Sequence, residues 1–478
     1  LREERSWLLP DRPYVFLDLT NSICNSCLRK VEAKILIQDD KVYLLKRCAT
    51  HGPQKVLIST DVDYYRLSRR SLKPGQLPYH FNTPIQYGCP FDCGLCPDHE
   101  QHSCLTLVEV TDRCNLACPI CYAESSPSRP TERSLEEIEK MLDAIVRNEK
   151  EPDVVQISGG EPTIHSRFFE ILDMAKARPI KHLMVNTNGV RIAQDREFVS
   201  RLKGYTPGFE VYLQFDSLRE APLRDLRGLD LREVRRRALE YLNEAGLSTT
   251  LVVTVKKGVN HGEIGEIIDF ALKQPCVRGV TFQPVQAAGR LEGYDPARDR
   301  FTLSEIRKEI LKQSSVFQPQ DILPVPCHPD GIAMAYALKR EGSVVPLTGL
   351  LDPSVLLEGT GNTIVYERDP RMRAEFLRLF STAASPESAA GSLRDLLCCL
   401  PRIDAPASFG YDNVFRVLII EFLDAYNFDV RSVKRSCIHI AHPDGRIIPF
   451  DTYNLFYREG REAQLAAARA LSAPAGVM

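Results

Sequence analysis

The stretch Val108-Glu109-Val110-Thr111-Asp112-Arg113-Cys114-Asn115-Leu116-Ala117-Cys118-Pro119-Ile120-Cys121-Tyr122 decides how this chain is read. A short apolar, β-branched run leads into three cysteines spaced C-x3-C-x2-C, so a strand feeds a loop that carries three thiolates. Thiolates are soft donors suited to zinc, iron and iron–sulfur clusters. Three of them can hold three irons of a [4Fe–4S] cluster and leave the fourth iron open. The same spacing also suits a zinc knuckle, and the flanking sequence decides between the two. Downstream, strand and helix alternate six times. Candidate strands are Thr106–Val110, Val154–Ile157, His182–Asn186, Glu210–Phe215, Thr250–Val255 and Gly279–Phe282. The clearest helices are Leu135–Val146, Phe168–Ala177, Glu233–Ala245 and Ile264–Leu272, the first opened by a Ser134/Glu137 capping box. This alternation predicts a parallel sheet with right-handed crossovers, whose ligand face lies at the carboxyl ends of the strands.

Polar motifs stand at those ends. The second strand is followed by Ser158-Gly159-Gly160-Glu161-Pro162 and the third by Asn186-Thr187-Asn188-Gly189. Asp216 ends the fourth strand, Thr254 lies in the fifth, and Gln283-Pro284 ends the sixth. Taken singly, Thr254 and Gln283 also read as strand-capping turn residues. In this order the motifs resemble the radical S-adenosylmethionine superfamily. The resemblance implies an α/β fold, a partial (β/α)6 barrel. It implies that Cys114, Cys118 and Cys121 hold the catalytic cluster, whose open iron is chelated by S-adenosylmethionine. One electron then splits the sulfonium and yields a 5′-deoxyadenosyl radical. Gly159, Gly160 and Glu161 fall near the methionine end of the cofactor, Asn186 and Asn188 in its polar turn, and Tyr122 near the adenine. Asp216, Thr254 and Gln283 face the shared pocket.

Fifteen cysteines stand in 478 residues, and ten fall between Cys24 and Cys121. In a long chain whose first residues carry no signal-peptide core, such groups read as metal ligands and not as disulfides. Three blocks follow: a cysteine-rich ribbon and auxiliary-cluster domain (1–104), the barrel (105–285) and a mixed α+β region (286–478) for auxiliary or substrate binding. In the first, Val31–Ile37 and Lys41–Lys46 form a hairpin around Asp39-Asp40, bracketed by Cys24, Cys27, Cys48 and His51. That is a ribbon-type mononuclear site for zinc or rubredoxin-like iron. Cys89, Cys93 and Cys96 repeat the C-x3-C-x2-C spacing, with Cys104 as the expected fourth thiolate and His99 or His102 as its replacement. Four donors close a cluster, so this set reads as auxiliary. The third block holds helix-like stretches at Ser304–Lys312, Arg371–Thr382 and Glu462–Leu471, and a polar segment near Ser381–Ser392. A third cluster is built there from Cys327, one of Cys398 and Cys399, and Cys437, with small buried hydrophobes as the other reading of these cysteines. Arg232 to Arg237 reads as a solvated helix face.

A net charge of -2 makes no case for nucleic acid or an anionic membrane surface as main partner. No apolar run approaches a membrane span. A cytoplasmic protein is expected, with peripheral membrane contact left open. The order of ribbon, second cysteine motif and core loop, with Pro326-Cys327-His328-Pro329 and Cys437-Ile438-His439, resembles more narrowly the group that includes archaeal tetraether lipid synthase. That resemblance implies a transferase or synthase joining unactivated carbons of two long lipid chains, with an electron donor such as ferredoxin or flavodoxin. Gly331 and Ala333 stand where that group has further cysteines. The alternative is a radical methylase acting on a pterin or other small heterocycle.

Overall fold

The computed structural model describes residues 12–340, 343–350, 371 and 413–472. Cys398, Cys399, the segment Ser381–Ser392 and all but the first residue of the expected helix at Arg371–Thr382 lie outside these residues.

The chain begins with a four-stranded antiparallel sheet of β1 (Val15–Ile23), β2 (Lys30–Gln38), β3 (Lys41–Cys48) and β4 (Gly52–Ser59), ordered as in sequence. The expected hairpin is β2–β3. Asp39 and Asp40 take φ of 51° and 53°, the left-handed pair that a two-residue turn between twisted strands requires. β1 and β4 flank it and place Cys24, Cys27, Cys48 and His51 at the ends of strands.

The six predicted strands all form, each within two residues of its expected limits: β5 (Leu105–Glu109), β6 (Val154–Ser158), β7 (His182–Thr187), β8 (Phe209–Gln214), β9 (Thr249–Val255) and β10 (Val277–Pro284). They pair in order and in parallel. Helices Leu135–Glu149, Phe168–Lys176, Arg196–Lys203, Arg232–Ala245 and Ile264–Leu272 cover the outer face. The capping box forms: Ser134 Oγ accepts from Glu137 N (3.2 Å), and Glu137 Oε2 accepts from Ser134 N (2.8 Å). Apolar residues of strands and helices interdigitate between these layers in one continuous core.

The third block does not form a separate layer. After β11 (Leu323–Pro324), β12 (Ile332–Arg340) and β13 (Ser343–Pro346), the strand β14 (Val414–Ile420) pairs in parallel with β10. At the opposite edge β15 (Ile438–Ala441) pairs in parallel with β5, followed by β16 (Ile447–Pro449). The parallel run therefore has β15 and β14 beyond the six expected strands, in one twelve-stranded sheet curled as a partial barrel. Sequence periodicity missed this because β14 is buried at every position and reads as an apolar run without alternation. One buried polar cluster ties the interior across strands. Glu210 of β8 accepts from Arg416 of β14 (3.0 Å) and pairs with His182 of β7 (3.1 Å). Burial alone would raise the Glu210 pKa; the Arg416 charge and the His182 hydrogen bond hold it well below the usual carboxylate range.

Candidate active site and metal centres

The loop after β5 lies directly on the turn after β6. Gly160 N donates to Thr111 O (2.6 Å) and Glu161 N to Arg113 O (3.0 Å). A Cβ on Gly159, at φ 131°, would stand 2.3 Å from Thr111 O, and one on Gly160 would stand 2.2 Å from Arg113 O. The paired glycines are thus required by the close approach of the cysteine loop itself. Cys114 and Cys118 are buried and Cys121 is half-buried. Burial pushes the Cys114 thiol up to about 12, and the Glu161 charge adds to this. A metal that takes the thiolate offsets that cost.

Glu161 does not line the pocket. Its carboxylate accepts from Thr163 Oγ1 (2.6 Å), Thr187 Oγ1 (2.8 Å) and Asn188 N (2.7 Å), so it locks the third-strand turn against the second. Asn188 then reaches the cysteine loop: Nδ2 donates to Asn115 Oδ1 (2.6 Å) and stands 3.9 Å from Cys114 Sγ. Asp216, at φ 66°, is fully buried, and its carboxylate takes a two-pronged contact from Arg227 Nε and Nη2 at 2.7 Å each. Arg227 Nη2 also donates to Thr254 Oγ1 (3.0 Å), and the same guanidinium hydrogen-bonds Cys118, offsetting part of the burial that raises that thiol. Thr254 and Gln283 both line the pocket; Gln283 Nε2 donates to Tyr212 OH (3.3 Å). Tyr122 packs on Phe450 at 5.0 Å between ring centroids and lies under the Arg458 guanidinium at 5.2 Å.

Three residues here carried no sequence signal. Arg227 sits in a helix eleven residues past its partner Asp216, a separation with no local rule. Arg290 lies in a polar loop, yet its Nε donates to Cys118 O (2.6 Å) and its Nη2 to Ser125 O (2.7 Å). Its backbone bridges to Cys121 in both directions. Arg235 overturns the expected solvated face: its neighbours Arg232, Arg236 and Arg237 are exposed, but Arg235 is buried, bonds Asn188 O and lies 3.9 Å from Asp216. The helical period turns every third or fourth residue inward, and an arginine-rich run hides which one.

Around these groups a cavity of about 180 Å³ runs through the barrel. Cys114, Cys118, Cys121, Gly159, Gly160, Asn186 and Asn188 line it toward the carboxyl ends of the strands, and Leu105, Val154, Thr250, Arg416 and Ile438 toward their amino ends. Asn186 Oδ1 is buried here with no partner in the protein, an acceptor left for a bound group. With three thiolates beside it and a glycine cradle beneath, these residues fit an iron–sulfur cluster with S-adenosylmethionine.

In the ribbon, the Cys24, Cys27, Cys48 and His51 donors all lie within 4.8 Å of one another. Cys27 and Cys48 sulfurs are 3.8 Å apart, and His51 Nδ1 is 3.5 Å from both Cys24 and Cys48. The second motif differs from expectation. Cys89, Cys93 and Cys96 face one another, and Cys89 adds to the burial that drives the Cys93 thiol far up. Cys104 is not their partner. It immediately precedes β5, whose pairing with β15 pins it beside Cys437: Leu105 N donates to Cys437 O (3.1 Å). Cys104, Cys327 and Cys437 converge to within 4.8 Å. Cys327 and Cys437 thus meet as expected, and Cys104 joins them; Cys398 and Cys399 lie outside the described residues. His99 is no replacement ligand in the second motif either; its Nε2 faces Ser436 O (2.9 Å) and His439 Nε2 (3.1 Å).

The barrel, the cysteine loop and the glycine turn beneath it define a radical S-adenosylmethionine enzyme, with [4Fe–4S] and S-adenosylmethionine as cofactors and a zinc or iron site in the ribbon. Residues 108–271 match the Radical SAM superfamily model, and residues 16–60 match the HMPTM N-terminal zinc ribbon domain. The chain belongs to the family of the 7,8-dihydro-6-hydroxymethylpterin dimethyltransferase of Methanocaldococcus jannaschii, with 31% identity over 491 aligned positions, 94% of this chain and 95% of that one. It is also 30% identical over 178 residues to the mycofactocin maturase MftC of Mycolicibacterium smegmatis, covering 37% of this chain and 44% of that one. Among solved structures it resembles Streptococcus suis SuiB bound to its precursor peptide SuiA (TM-score 0.37, 13% identity, 62% of this chain and 68% of that one). The full-length relative is a pterin dimethyltransferase and not a tetraether lipid synthase, the group expected from the motif order. Among the described residues no helix is long and apolar enough to cross a membrane.

Proposed function

We propose that this chain is a radical methylase acting on a pterin or a similar planar heterocycle. The observation that carries the reading is the set of amide and phenol groups inside the barrel. Gln156, Asn186, Gln214, Gln283 and Tyr212 line the cavity together with Cys114, Cys118 and Cys121. Such groups offer paired donors and acceptors to the edge of a heterocycle while the walls bury its faces. The full-length likeness to a pterin dimethyltransferase supports the same choice. When bound, the cluster and S-adenosylmethionine supply reductive sulfonium cleavage and hydrogen abstraction from an unactivated carbon. The chain's own residues do the rest. Cys114, Cys118 and Cys121 hold the cluster, and Asn186 and Asn188 bind beside it. Glu161, Arg227 and Asp216 are positioning residues that fix the turns. Tyr122, Thr254 and Gln283 bound the cofactor side of the cavity. An external one-electron reductant is required.

A second reading, coupling of long lipid chains, draws on the apolar depth of the same cavity at Leu105, Leu107, Val154, Met184 and Ile438. Anaerobic turnover of the reconstituted protein separates the two. With 7,8-dihydro-6-hydroxymethylpterin, S-adenosylmethionine and reductant, 5′-deoxyadenosine is expected together with a pterin heavier by one or two methyl groups. An unchanged pterin, with long-chain lipids joined in a parallel reaction, would overturn the reading in favour of coupling. No 5′-deoxyadenosine from fully loaded protein with either substrate removes both.

A further inference from the structure

We propose that Phe422 and Phe450 form the stacking surface on which the flat ring of the substrate lies, and that they select a planar heterocycle over a saturated chain. The inference rests on the pterin-directed reading above and says where in the cavity that ring is held.

The pair meets across the open side of the barrel. Phe422 follows β14, the outermost strand of the parallel run on the β10 side. Phe450 follows β16, which lies beyond β15 at the other edge. Their ring centroids are 4.0 Å apart with 31° between the planes, a tilted stack. The two edges of the run thus come together in one aromatic contact. Tyr122 continues it, with its ring 5.0 Å from Phe450 at 60°. All three rings line the cavity that also holds Cys114, Cys118 and Cys121. The aromatic surface therefore begins at the residue after a cluster cysteine and is completed by the C-terminal block.

The neighbours of the two rings pin the stack. Leu423 N, next to Phe422, donates to the carboxylate of Asp451, next to Phe450, at 2.6 Å. Gln286 Nε2 donates to Leu423 O (2.6 Å), and Gln286 Oε1 accepts from Asn454 Nδ2 (3.3 Å). One side chain from the loop after β10 thus ties the segment after β14 to the segment after β16. Arg458 covers Tyr122 at 5.2 Å and Tyr453 at 5.0 Å, and Glu109 holds its guanidinium through two contacts of 2.8 and 3.1 Å. Asp451, Gln286 and Arg458 are positioning residues here. A surface fixed before binding loses little entropy when a ring settles on it.

The chemistry of the wall points to a flat ligand. Packing alone is served by aliphatic side chains, which line the same cavity at Leu418, Ile420 and Ile438. An aromatic face adds a quadrupole and a flat contact that suit the face of a heterocycle. The edge of such a ring meets amides on the strands: Asn186 of β7, Gln214 of β8 and Gln283 of β10 line the cavity, and Asn186 Oδ1 is buried without a partner in the protein. Recognition of the face then comes from the C-terminal block and recognition of the edge from the barrel. A saturated lipid chain has neither a π-face nor a polar edge, so it would gain as much from leucine as from phenylalanine.

The test is equilibrium binding of 7,8-dihydro-6-hydroxymethylpterin to the anaerobically reconstituted chain, with S-adenosylmethionine present and reductant left out. Phe422→Leu and Phe450→Leu should each weaken pterin binding about tenfold, the order that loss of a stacking ring commonly costs. Iron content and S-adenosylmethionine affinity should stay at the parent's values. Phe422→Tyr keeps the ring and should bind the pterin as the parent does. Parental pterin affinity in both leucine variants, or a loss of S-adenosylmethionine affinity in place of pterin affinity, would overturn the proposal and leave the methylase reading standing. A parent that binds no pterin removes both. Phe422 is half-buried, so its two variants decide the matter where Phe450→Leu does not fold.

Discussion

At the scale of the residue, the site is fixed by contacts too short to admit any other side chain. Gly160→Ala places a methyl group 2.2 Å from Arg113 O, with backbone on both sides. One of the two loops must move. This variant is expected to lose about 1–3 kcal/mol of stability, the range for overpacking a packed site. Lower iron content after reconstitution and an earlier unfolding midpoint would check it. Arg227→Met removes the two-pronged partner of the buried Asp216 carboxylate and leaves it only the more distant Arg235, a loss bounded by the ~3–5 kcal/mol of a fully broken buried pair. Here pH supplies a control. Burial opposes the charged form of Asp216, but Arg227 wins and holds its folded pKa below the unfolded value. A depressed carboxylate contributes stability above the unfolded pKa and loses it as pH falls through the folded one. The unfolding midpoints of the parent and Arg227→Met should therefore converge in acid and separate toward neutral pH. A gap that stays constant across that range would contradict the assignment.

At the scale of the element, the cysteine loop owes its shape to a strap it does not touch in sequence. Gly289, at φ 64°, lets residues 289–290 lie against Cys121 and Tyr122; a Cβ there would stand 2.4 Å from both carbonyl oxygens. Arg290 then ties the carbonyls of Cys118 and Ser125. Arg290→Ala is expected to speed iron release from the core cluster to a chelator by about tenfold, as loss of a supporting contact at a metal site commonly does. The ribbon's metal should be unaffected. Equal release rates for parent and variant would show that the loop holds its own shape. Regular elements were legible in the sequence because their periods are local. The strap was not, because a bridge between residues 121 and 290 follows no period.

At the scale of the molecule, the cysteine-rich start is keyed into the C-terminal block. Lys46 is buried, and its Nζ donates to Ile23 O and Ala425 O at 2.7 Å each. Burial lowers its pKa to about 7, against which the Asp424 charge acts only in part. Between about pH 7 and 10.5 the unfolded chain binds a proton that the folded chain does not, so stability rises with pH across that window. Lys46→Met removes the titrating group and is expected to flatten this rise in a series of unfolding midpoints between pH 7 and 9.5. A persisting slope would assign it to another group. The same scale explains why the third block resisted reading: β14 and β15 make sense only as added strands on either edge of the six-stranded run.

The sequence alone determined the alternating barrel, the core cysteine loop with its glycine turn, and the ribbon with its four donors. Each of these is written in a short window, by a period or by the spacing of ligands on one loop. It did not determine which distant cysteines meet. Cys104 stands eight residues from Cys96 and 333 from Cys437, yet strand pairing of β5 with β15 seats it beside the latter. Chain proximity makes a contact cheap in entropy, but burial in a sheet fixes register, and only the tertiary structure says which strands share an edge.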